Sequence, residues 1–223
     1  MWTRIRTDPV EYCYMYIIFE GVVGTGKTTQ SKMLQEALQG YFPKKEVLWT
    51  REPGGSEIAE AIRKVVQGTV FQEEMDPTCE AYLYAAARAQ SLRAAVLPVL
   101  ERGGIVIADR SVITSVAWQG YGRGMGKEKI MKMNAFATEG IAPDVIFYLR
   151  SNLEEALGRT FDAAGDKFEK FPKAFFEMCE RGYEEIKSDL RFVSQWEDID
   201  ARGTREEVHG RIMKRMQERK LIP

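Results

Sequence analysis

A short glycine-rich segment near the start of the chain carries the clearest chemical signal. Residues 21–28, GVVGTGKT, match the pattern G-x-x-x-x-G-K-[ST] at every defined position. Glycines in such a segment let successive backbone N–H groups turn inward around an anion, and the following helix adds the positive end of its dipole. Lys27 would bring a point charge to the β- and γ-phosphates, and Thr28 a hydroxyl to Mg²⁺. The pattern predicts nucleoside triphosphate binding by Gly21, Gly24, Thr25, Gly26, Lys27, Thr28 and Thr29.

Charged residues follow two further apolar segments. Arg51 comes directly after residues 47–50, and Asp109-Arg110 follow residues 105–108. Ligands of open α/β sheets bind beyond the carboxyl ends of the strands, where an arginine can form a forked contact with phosphate. Asp109 could hold Mg²⁺ through water, and Arg110 could bridge donor and acceptor phosphates. The alternatives are a surface arginine at position 51 and a helix-capping acid at position 109.

An aromatic residue and an arginine share one face of a long alanine-rich segment. Tyr84 and Arg88 are four residues apart, so on a helix they are neighbours. A ring that stacks and a guanidinium that donates to carbonyl groups would suit a nucleobase. The alternative is an aromatic residue that belongs to the core.

Strand-like and helix-like segments alternate along the chain, which predicts βαβ units and a parallel sheet covered on both faces. We expect an α/β fold of three αβα layers with a five-stranded parallel sheet, and one domain over residues 14–223. Glycine at position 40 should end the first helix, and Pro98 should kink or split the longest one. In the second helix, Ile58, Ile62, Val65 and Val66 should face inward. The strands are predicted at residues 14–19, 47–50, 105–108, 145–149 and 192–199, and the helices at 27–39, 58–67, 78–102, 111–118, 127–138, 152–159, 171–187 and 205–220.

Composition excludes several classes of protein. Lys+Arg 32 and Asp+Glu 33 give a net charge of −1, which argues against a protein that coats nucleic acid. The three cysteines are far apart, and His209 is the sole histidine, so a disulfide framework, a His-based metal site and a catalytic triad are not expected. The sequence contains neither a membrane-spanning apolar run nor a signal-peptide core, so we expect a cytoplasmic protein without a membrane partner. Residues 1–13 match no motif and are expected to be an N-terminal extension, for which disorder is one reading.

The combination of motifs resembles the thymidylate kinase family. The matching stretches are FEGVVGTGKTT, TREPGGSEIAEAIR, EAYLYAAARAQ, IADRSVITSVAWQGYGRG, APDVIFYL and DIDARGTREEV, in the order of the family. The resemblance implies a P-loop NTPase fold of the nucleoside-monophosphate kinase type and transfer of phosphate from ATP to dTMP, with Mg²⁺. It also implies a homodimer to which the long helix starting near residue 78 contributes.

The resemblance also implies a role for individual residues. Arg51 and Arg110 would hold the dTMP phosphate, and Tyr84 would stack on thymine. Arg88 would bond a base carbonyl, and Gln119 the base edge. The remaining contacts would come from Thr114 or Ser115 in the base pocket, Trp118 under the sugar, and Ala201 in the segment that borders the ATP adenine.

Two departures from the family pattern bear on specificity and rate. The family usually carries an acid at the position of Val23, which contacts the acceptor 3′-OH or neighbouring arginines, and valine can do neither. The lid, expected at about residues 159–170, offers Arg159 and Lys167 as the catalytic groups that would stabilise the transferring phosphoryl group. Lysine is less suited than arginine to a forked, two-point contact with phosphate, so slower turnover is expected. A solvated loop at the lid, a kinase with altered acceptor, and a nucleotide-binding module without strong catalysis are the alternatives.

Overall fold

The computed structural model describes residues 14–68, 71–139, 141–161, 171–189 and 191–223. The predicted N-terminal extension at residues 1–13 lies outside these ranges. So does most of the predicted lid, including Lys167. Within the described residues, no helix is both long and apolar enough to span a membrane.

Five parallel strands form a single sheet in the order β2-β3-β1-β4-β5. Every residue of β1 and β3 is buried, as expected for central strands covered on both faces. This confirms the predicted five-stranded parallel sheet. The strands are β1 (Met15–Glu20), β2 (Val47–Arg51), β3 (Ile105–Asp109), β4 (Val145–Arg150) and β5 (Trp196–Asp200).

Helices cover both faces of the sheet and create two cores. One core lies between the sheet and α1 with α9, and contains Leu34, Phe147 and Ile212. The other lies under α3, α5 and α8, and contains Tyr84 and Tyr183. The helices are α1 (Lys27–Tyr41), α2 (Glu57–Gln67), α3 (Pro77–Ser91), α4 (Leu97–Glu101), α5 (Val112–Ser115), α6 (Lys127–Asn134), α7 (Leu153–Phe161), α8 (Lys173–Lys187) and α9 (Arg205–Glu218).

Two segments of the described chain are wound as π-helix. Leu92–Val96 joins α3 to α4, so the long helix is interrupted just before Pro98, as predicted. Val116–Gly122 continues α5. The sequence predicted that this helix ends at residue 118, and this end was wrong, because the helical path continues to Gly122. The segment packs so closely on α8 that a Cβ at Gly122 would lie 2.6 Å from the Phe175 ring.

Several helix and strand ends differ from the prediction. α1 runs through Gly40 to Tyr41, since a helical glycine costs only about 1 kcal/mol relative to alanine. α6 ends at Asn134 rather than residue 138. β5 begins at Trp196. Phe192, expected in that strand, lies in a turn, and its burial explains the apolar signal.

The inward face of α2 is narrower than predicted. Val66 is buried, but the side chains of Ile58 and Val65 are 57% and 40% exposed. Ala59, which was not predicted, is buried instead. Two apolar positions of α2 are therefore exposed in this chain.

Candidate active site

The loop between β1 and α1 has the backbone of an anion-binding nest. Gly21, Gly24 and Gly26 have φ values of 140°, 73° and 87°, which favour glycine. A Cβ at Gly21 would lie 2.7 Å from the Leu149 carbonyl oxygen, so β4 also requires glycine there. α1 begins without a side-chain cap and without an acid in its first turn. Its first N–H groups and dipole are therefore directed at whatever the loop binds.

Lys27 lies within this loop. Its Nζ donates to the Val22 carbonyl at 2.5 Å and to Thr25 Oγ1 at 3.4 Å. Burial, and secondarily the Arg110 guanidinium, lowers the pKa of Lys27 to about 7. A phosphate placed against this ammonium group would supply the counter-charge that favours its protonated form.

Thr28 and Asp109 form a pair of oxygen ligands suited to Mg²⁺. Thr28 Oγ1 donates to Asp109 Oδ2, which joins the start of α1 to the end of β3. Asp109 Oδ1 is buried, and no described residue gives it a hydrogen bond. Within the described chain, no cluster of three or more His, Cys, Asp or Glu side chains could hold a metal. Because Asp109 Oδ1, beside the Thr28 hydroxyl, is unpartnered among the described residues, the pair fits Mg²⁺, which takes few protein ligands and keeps several waters.

The two phosphate-binding arginines predicted from the sequence lie at neighbouring strand ends. Arg51 is aligned with Asp109 in the β2–β3 register, and Arg110 follows Asp109. The Arg51 side chain is 43% exposed and forms a forked contact with Glu60, with Nη2 to Oε2 at 2.9 Å. This contact lowers the pKa of the Glu60 carboxyl.

Arg110 has a strained backbone and several local contacts. Its φ is 77°, and a non-glycine residue in this region costs on the order of 1 kcal/mol. Its N–H donates to the Phe19 carbonyl at 2.9 Å, which fixes the turn. Its Nη1 reaches the Gly21 carbonyl and Thr114 Oγ1, both at 3.3 Å. The guanidinium lies 5.2 Å from the Trp118 ring centre, within range of a cation–π contact.

A buried carboxylate, Glu20, lies behind Arg110. Ser111 Oγ and Thr114 Oγ1 donate to it at 2.6 Å, and the Tyr183 hydroxyl does so at 3.1 Å. Burial raises the pKa of Glu20 above its ordinary 4.5, and these hydrogen bonds act against that rise. Thr114 is thus placed between Glu20 and Arg110. Of Thr114 and Ser115, it is Ser115 whose hydroxyl contacts Arg88.

Arg88 is the centre of a buried polar cluster. Its Nε donates to Glu52 Oε2 at 2.7 Å, and its Nη1 donates to Asn134 Oδ1. Its Nη2 donates to the Ser111 carbonyl at 3.2 Å and to Ser115 Oγ at 3.0 Å. Burial raises the pKa of Glu52, and Arg88 acts against that rise. A guanidinium has five N–H groups, so these four bonds to described residues leave one on Nη1.

A second polar cluster surrounds Glu80, which lies one helical turn before Tyr84 on α3. Glu80 is buried, and its Oε1 accepts a hydrogen bond from Gln119 Nε2 at 2.9 Å. Its Oε2 accepts one from Arg123 Nη2 at 2.8 Å. Tyr84 itself is 8% exposed and lies between the two clusters along the helix.

The remaining predicted site residues are farther along the chain. Trp118 is buried, with its ring edge-on to Phe175 and Phe176 at 5.6 and 5.9 Å. Ala201 is buried just after β5, and its N–H donates to the Arg150 carbonyl at 2.7 Å. Arg159, near the end of α7, is half-exposed and lies 3.9 Å from Glu155.

Sequence reasoning missed the acids and the amide that hold these side chains. Glu80 had a recoverable signal, because it precedes Tyr84 and Arg88 at intervals of four on one helix face. Glu20, Glu52, Asn134 and Tyr183 had none, since their partners are distant in sequence.

Comparison with known proteins gives one consistent family. The family model described as Thymidylate kinase matches residues 19–212. The thymidylate kinase of Trichodesmium erythraeum (strain IMS101) is 38% identical over 210 residues, 88% of this chain and 92% of that relative. The thymidylate kinase of Desulforudis audaxviator (strain MP104C) is 42% identical over 174 residues, 78% of each chain. The crystal structure of thymidylate kinase from Ehrlichia chaffeensis has a TM-score of 0.75 and 27% identity, covering 92% of this chain and 99% of that one.

Proposed function

Because this chain belongs to the thymidylate kinase family, we propose that it transfers the γ-phosphoryl group of ATP to dTMP, giving dTDP and ADP. The observation that carries the proposal is the convergence of charges at one edge of the sheet. The loop with Lys27, the Thr28–Asp109 pair and Arg110 all lie at or just after the ends of β1 and β3, which are hydrogen-bonded neighbours. This edge offers a binding site for the triphosphate, with a site for the acceptor phosphate beside it.

The chemistry needs placement and charge neutralisation. An acceptor phosphate oxygen, already an anion, bonds to the γ-phosphorus while the bond to the β,γ-bridging oxygen breaks and ADP leaves. No general base is required. Lys27 and the loop N–H groups neutralise the β- and γ-phosphates, and Arg110 holds the acceptor phosphate next to them, with Arg51 on its other side. Mg²⁺, held by Thr28 and by Asp109 through water, would screen the phosphate charges.

The lid residues complete this proposal. Arg159 stands at the end of α7, where its weak contact with Glu155 leaves it available to a phosphoryl group. Closure of residues 159–170, with Lys167, would exclude water and suppress hydrolysis of ATP. Arg159→Ala should lower kcat at saturating ATP and dTMP with a smaller change in KM. An unchanged kcat would place the catalytic cation elsewhere.

The two buried clusters of α3 support thymine as the base. Tyr84 offers a ring face between them, Arg88 keeps one N–H for a base carbonyl, and Gln119 supplies an amide for the adjoining edge. Ser115 lines the same pocket through Arg88, and Trp118 lies under the sugar. Thr114 acts on the acceptor by holding Arg110. Ala201 borders the adenine of ATP.

An acceptor panel tests the reaction. ADP release is coupled to NADH oxidation with dTMP, dUMP, dCMP and dGMP, each at saturating ATP and Mg²⁺. We expect the highest kcat/KM for dTMP and no ADP release without acceptor. Faster turnover of another monophosphate would refute the acceptor, and bound ATP without acceptor-dependent ADP release would favour a nucleotide-binding module.

Val23 favours a second candidate, a kinase with altered acceptor specificity. Its side chain is half-buried and packs on the apolar core, so it offers no hydrogen bond to a sugar 3′-OH. A hydrogen bond to a charged group contributes about 1.5–3 kcal/mol, so its absence corresponds to roughly 10- to 100-fold weaker discrimination. Comparing dTMP with 3′-deoxy-dTMP measures this. An intact preference for the 3′-OH would show that another group compensates.

A homodimer through α2 and α3 is the assembly we propose. Apolar side chains are exposed on this surface, with Ile58 at 57% and Tyr82 at 61%, and single chains rarely expose such groups together. Sedimentation should give twice the mass of the 223-residue chain. Ile58→Arg with Tyr82→Arg should give the monomer, while Met178→Arg, on the exposed side of α8, should leave the dimer intact.

The cytoplasm is the proposed location, because both substrates are intracellular nucleotides. The described cysteines, Cys79 and Cys179, are free thiols, in keeping with a reducing compartment. Fractionation of cells that express the tagged chain tests this.

A further inference from the structure

The contact between Glu80 and Gln119 fixes the direction of an amide in the base pocket. Glu80 is 1% exposed and Gln119 is 2% exposed, so neither side chain can turn away into solvent. A carboxylate has only acceptor atoms, whereas an amide has a donor end and an acceptor end. The contact of 2.9 Å therefore requires Gln119 to present its NH₂ group to Glu80.

Arg123 holds the other oxygen of the Glu80 carboxylate. Its Nη2 lies 2.8 Å from Glu80 Oε2, and the Arg123 side chain is 22% exposed. Both oxygens of Glu80 therefore accept from side-chain donors, Oε1 from Gln119 and Oε2 from Arg123. The ion pair fixes the plane of the carboxylate against which the Gln119 amide is placed.

The carbonyl end of Gln119 is consequently free to accept from a ligand. Among the described residues, no group donates to Gln119 Oε1. The remaining N–H of Arg88, on the other side of Tyr84, is a donor. The pocket thus pairs one donor with one acceptor beside one aromatic ring.

This pair of groups matches one pyrimidine edge and opposes the other. A 4-keto pyrimidine, such as thymine or uracil, has an acceptor at O4 next to a donor at N3–H. A 4-amino pyrimidine, cytosine, has a donor at position 4 next to an acceptor at N3. In the pocket, cytosine would place donor against donor and acceptor against acceptor, and such unmatched buried groups are costly.

We propose that Glu80 is a positioning residue that makes the enzyme select 4-keto over 4-amino pyrimidine nucleotides, by fixing the orientation of the Gln119 amide. This inference rests on the proposed function, because it needs the acceptor base to lie between Arg88 and Gln119. Glu80 does not touch the base. It acts through Gln119.

The test compares dUMP with dCMP, which differ only along the edge in question. In Glu80→Gln the new amide can offer either end, so Gln119 can turn and donate to N3 of cytosine. This removes one of the two mismatches, and the one between Arg88 and the 4-amino group remains. The ratio of kcat/KM for dUMP to that for dCMP should fall by roughly 10-fold or more. Glu80→Asp keeps an acceptor-only group and should keep the wild-type ratio. Arg123→Lys keeps the cation without the fork and should also keep it.

The outcomes separate this inference from the proposed function. A wild-type enzyme that does not phosphorylate dTMP would refute the function. An enzyme active on dTMP whose Glu80→Gln variant keeps the dUMP-to-dCMP ratio would refute the role of Glu80 alone. An equal loss of the ratio in Glu80→Gln and Glu80→Asp would make Glu80 a packing residue. Thermal melts of each variant show whether the assays are made on folded protein.

Discussion

The glycine-rich loop proposed to bind phosphate and the pocket proposed to bind the base are held in place by different interactions. The loop is made of backbone, with Gly21, Gly24 and Gly26 in conformations that suit glycine. The base pocket is made of buried charged and amide side chains around Arg88 and Glu80. A backbone nest tolerates changes in side chains that point away from it. A buried side-chain cluster fails when one partner is removed, because the other is left without its hydrogen bonds.

The largest effect should come from breaking the base pocket. Arg88→Met would leave Glu52 buried without its cation, and loss of one partner of a buried pair costs about 3–5 kcal/mol. Urea unfolding should show that decrease in the free energy of unfolding. The control is Arg102→Met, which removes an exposed pair with Glu46 and should cost below about 1 kcal/mol. Equal effects of the two variants would contradict the contrast between the regions.

Removing the loop cation should damage catalysis without damaging the fold. Lys27→Met deletes the charge that we propose neutralises the β- and γ-phosphates, and loss of one such electrostatic contact lowers kcat by about 100- to 1,000-fold. The melting temperature should not fall, since burial already lowers the pKa of Lys27 to about 7 and its charge is costly in the folded chain. Lys44→Met, at an exposed position, is the matched control for both measurements. A large loss of stability in Lys27→Met would mean that the loop also depends on its side chain.

Glu20, which lies behind Arg110, should make the free energy of unfolding depend on pH. Burial raises the folded-state pKa of Glu20 above 4.5, so the folded chain binds this proton more tightly than the unfolded chain. The stability contributed by Glu20 is therefore complete below about pH 4.5 and is lost as the pH rises through the folded pKa. Glu20→Gln removes this dependence, so its stability relative to wild type should increase with pH above 4.5. Its kcat/KM for dTMP should fall, because Thr114, which accepts from Arg110, loses the carboxylate to which its own hydroxyl donates.

Unfolding curves of wild type and Glu20→Gln between pH 4 and pH 8 measure the difference directly. Tyr183→Phe removes a single donor to Glu20 and should shift the same curve only slightly. A stability difference that is flat with pH would mean that Glu20 keeps the same protonation state when the chain unfolds.

The smallest effect should come from the ion pair between Arg51 and Glu60, whose side chains are both partly exposed. Glu60→Gln should change the free energy of unfolding by less than about 1 kcal/mol, because solvent screens this pair. It should also free the Arg51 fork and lower KM for dTMP by a few-fold, with kcat unchanged. Initial-rate kinetics at varied dTMP measure this, and Glu57→Gln, a neighbouring acid on α2, is the control. An increase in KM would mean that Glu60 orients Arg51 rather than competing for it.

The same contrast explains how far the sequence could predict the site. The residues of the loop are adjacent in sequence. The spacing of its glycines, lysine and threonine is therefore enough to predict a loop between a strand and a helix. Glu52, which holds Arg88, is 36 residues away along the chain, and Glu20, which reaches Arg110 through Thr114, is 90 residues away. No local pattern in the sequence connects either acid with its arginine. The outward positions of Ile58 and Val65 were missed because periodicity indicates an apolar stripe without saying which partner covers it.

The π-helical stretch Val116–Gly122 makes the base pocket depend on chain length as well as on residue type. A wide turn of this kind corresponds to an inserted residue in an α-helix, and one residue corresponds to about 100° of rotation. Deleting one residue after Ser115 would restore an α-helical ladder and turn Gln119 away from Glu80, although every side chain of the pocket would still be encoded. The specificity of the pocket therefore depends on the number of residues in this segment as well as on their types. Substitution scans would not detect it, and a one-residue deletion would.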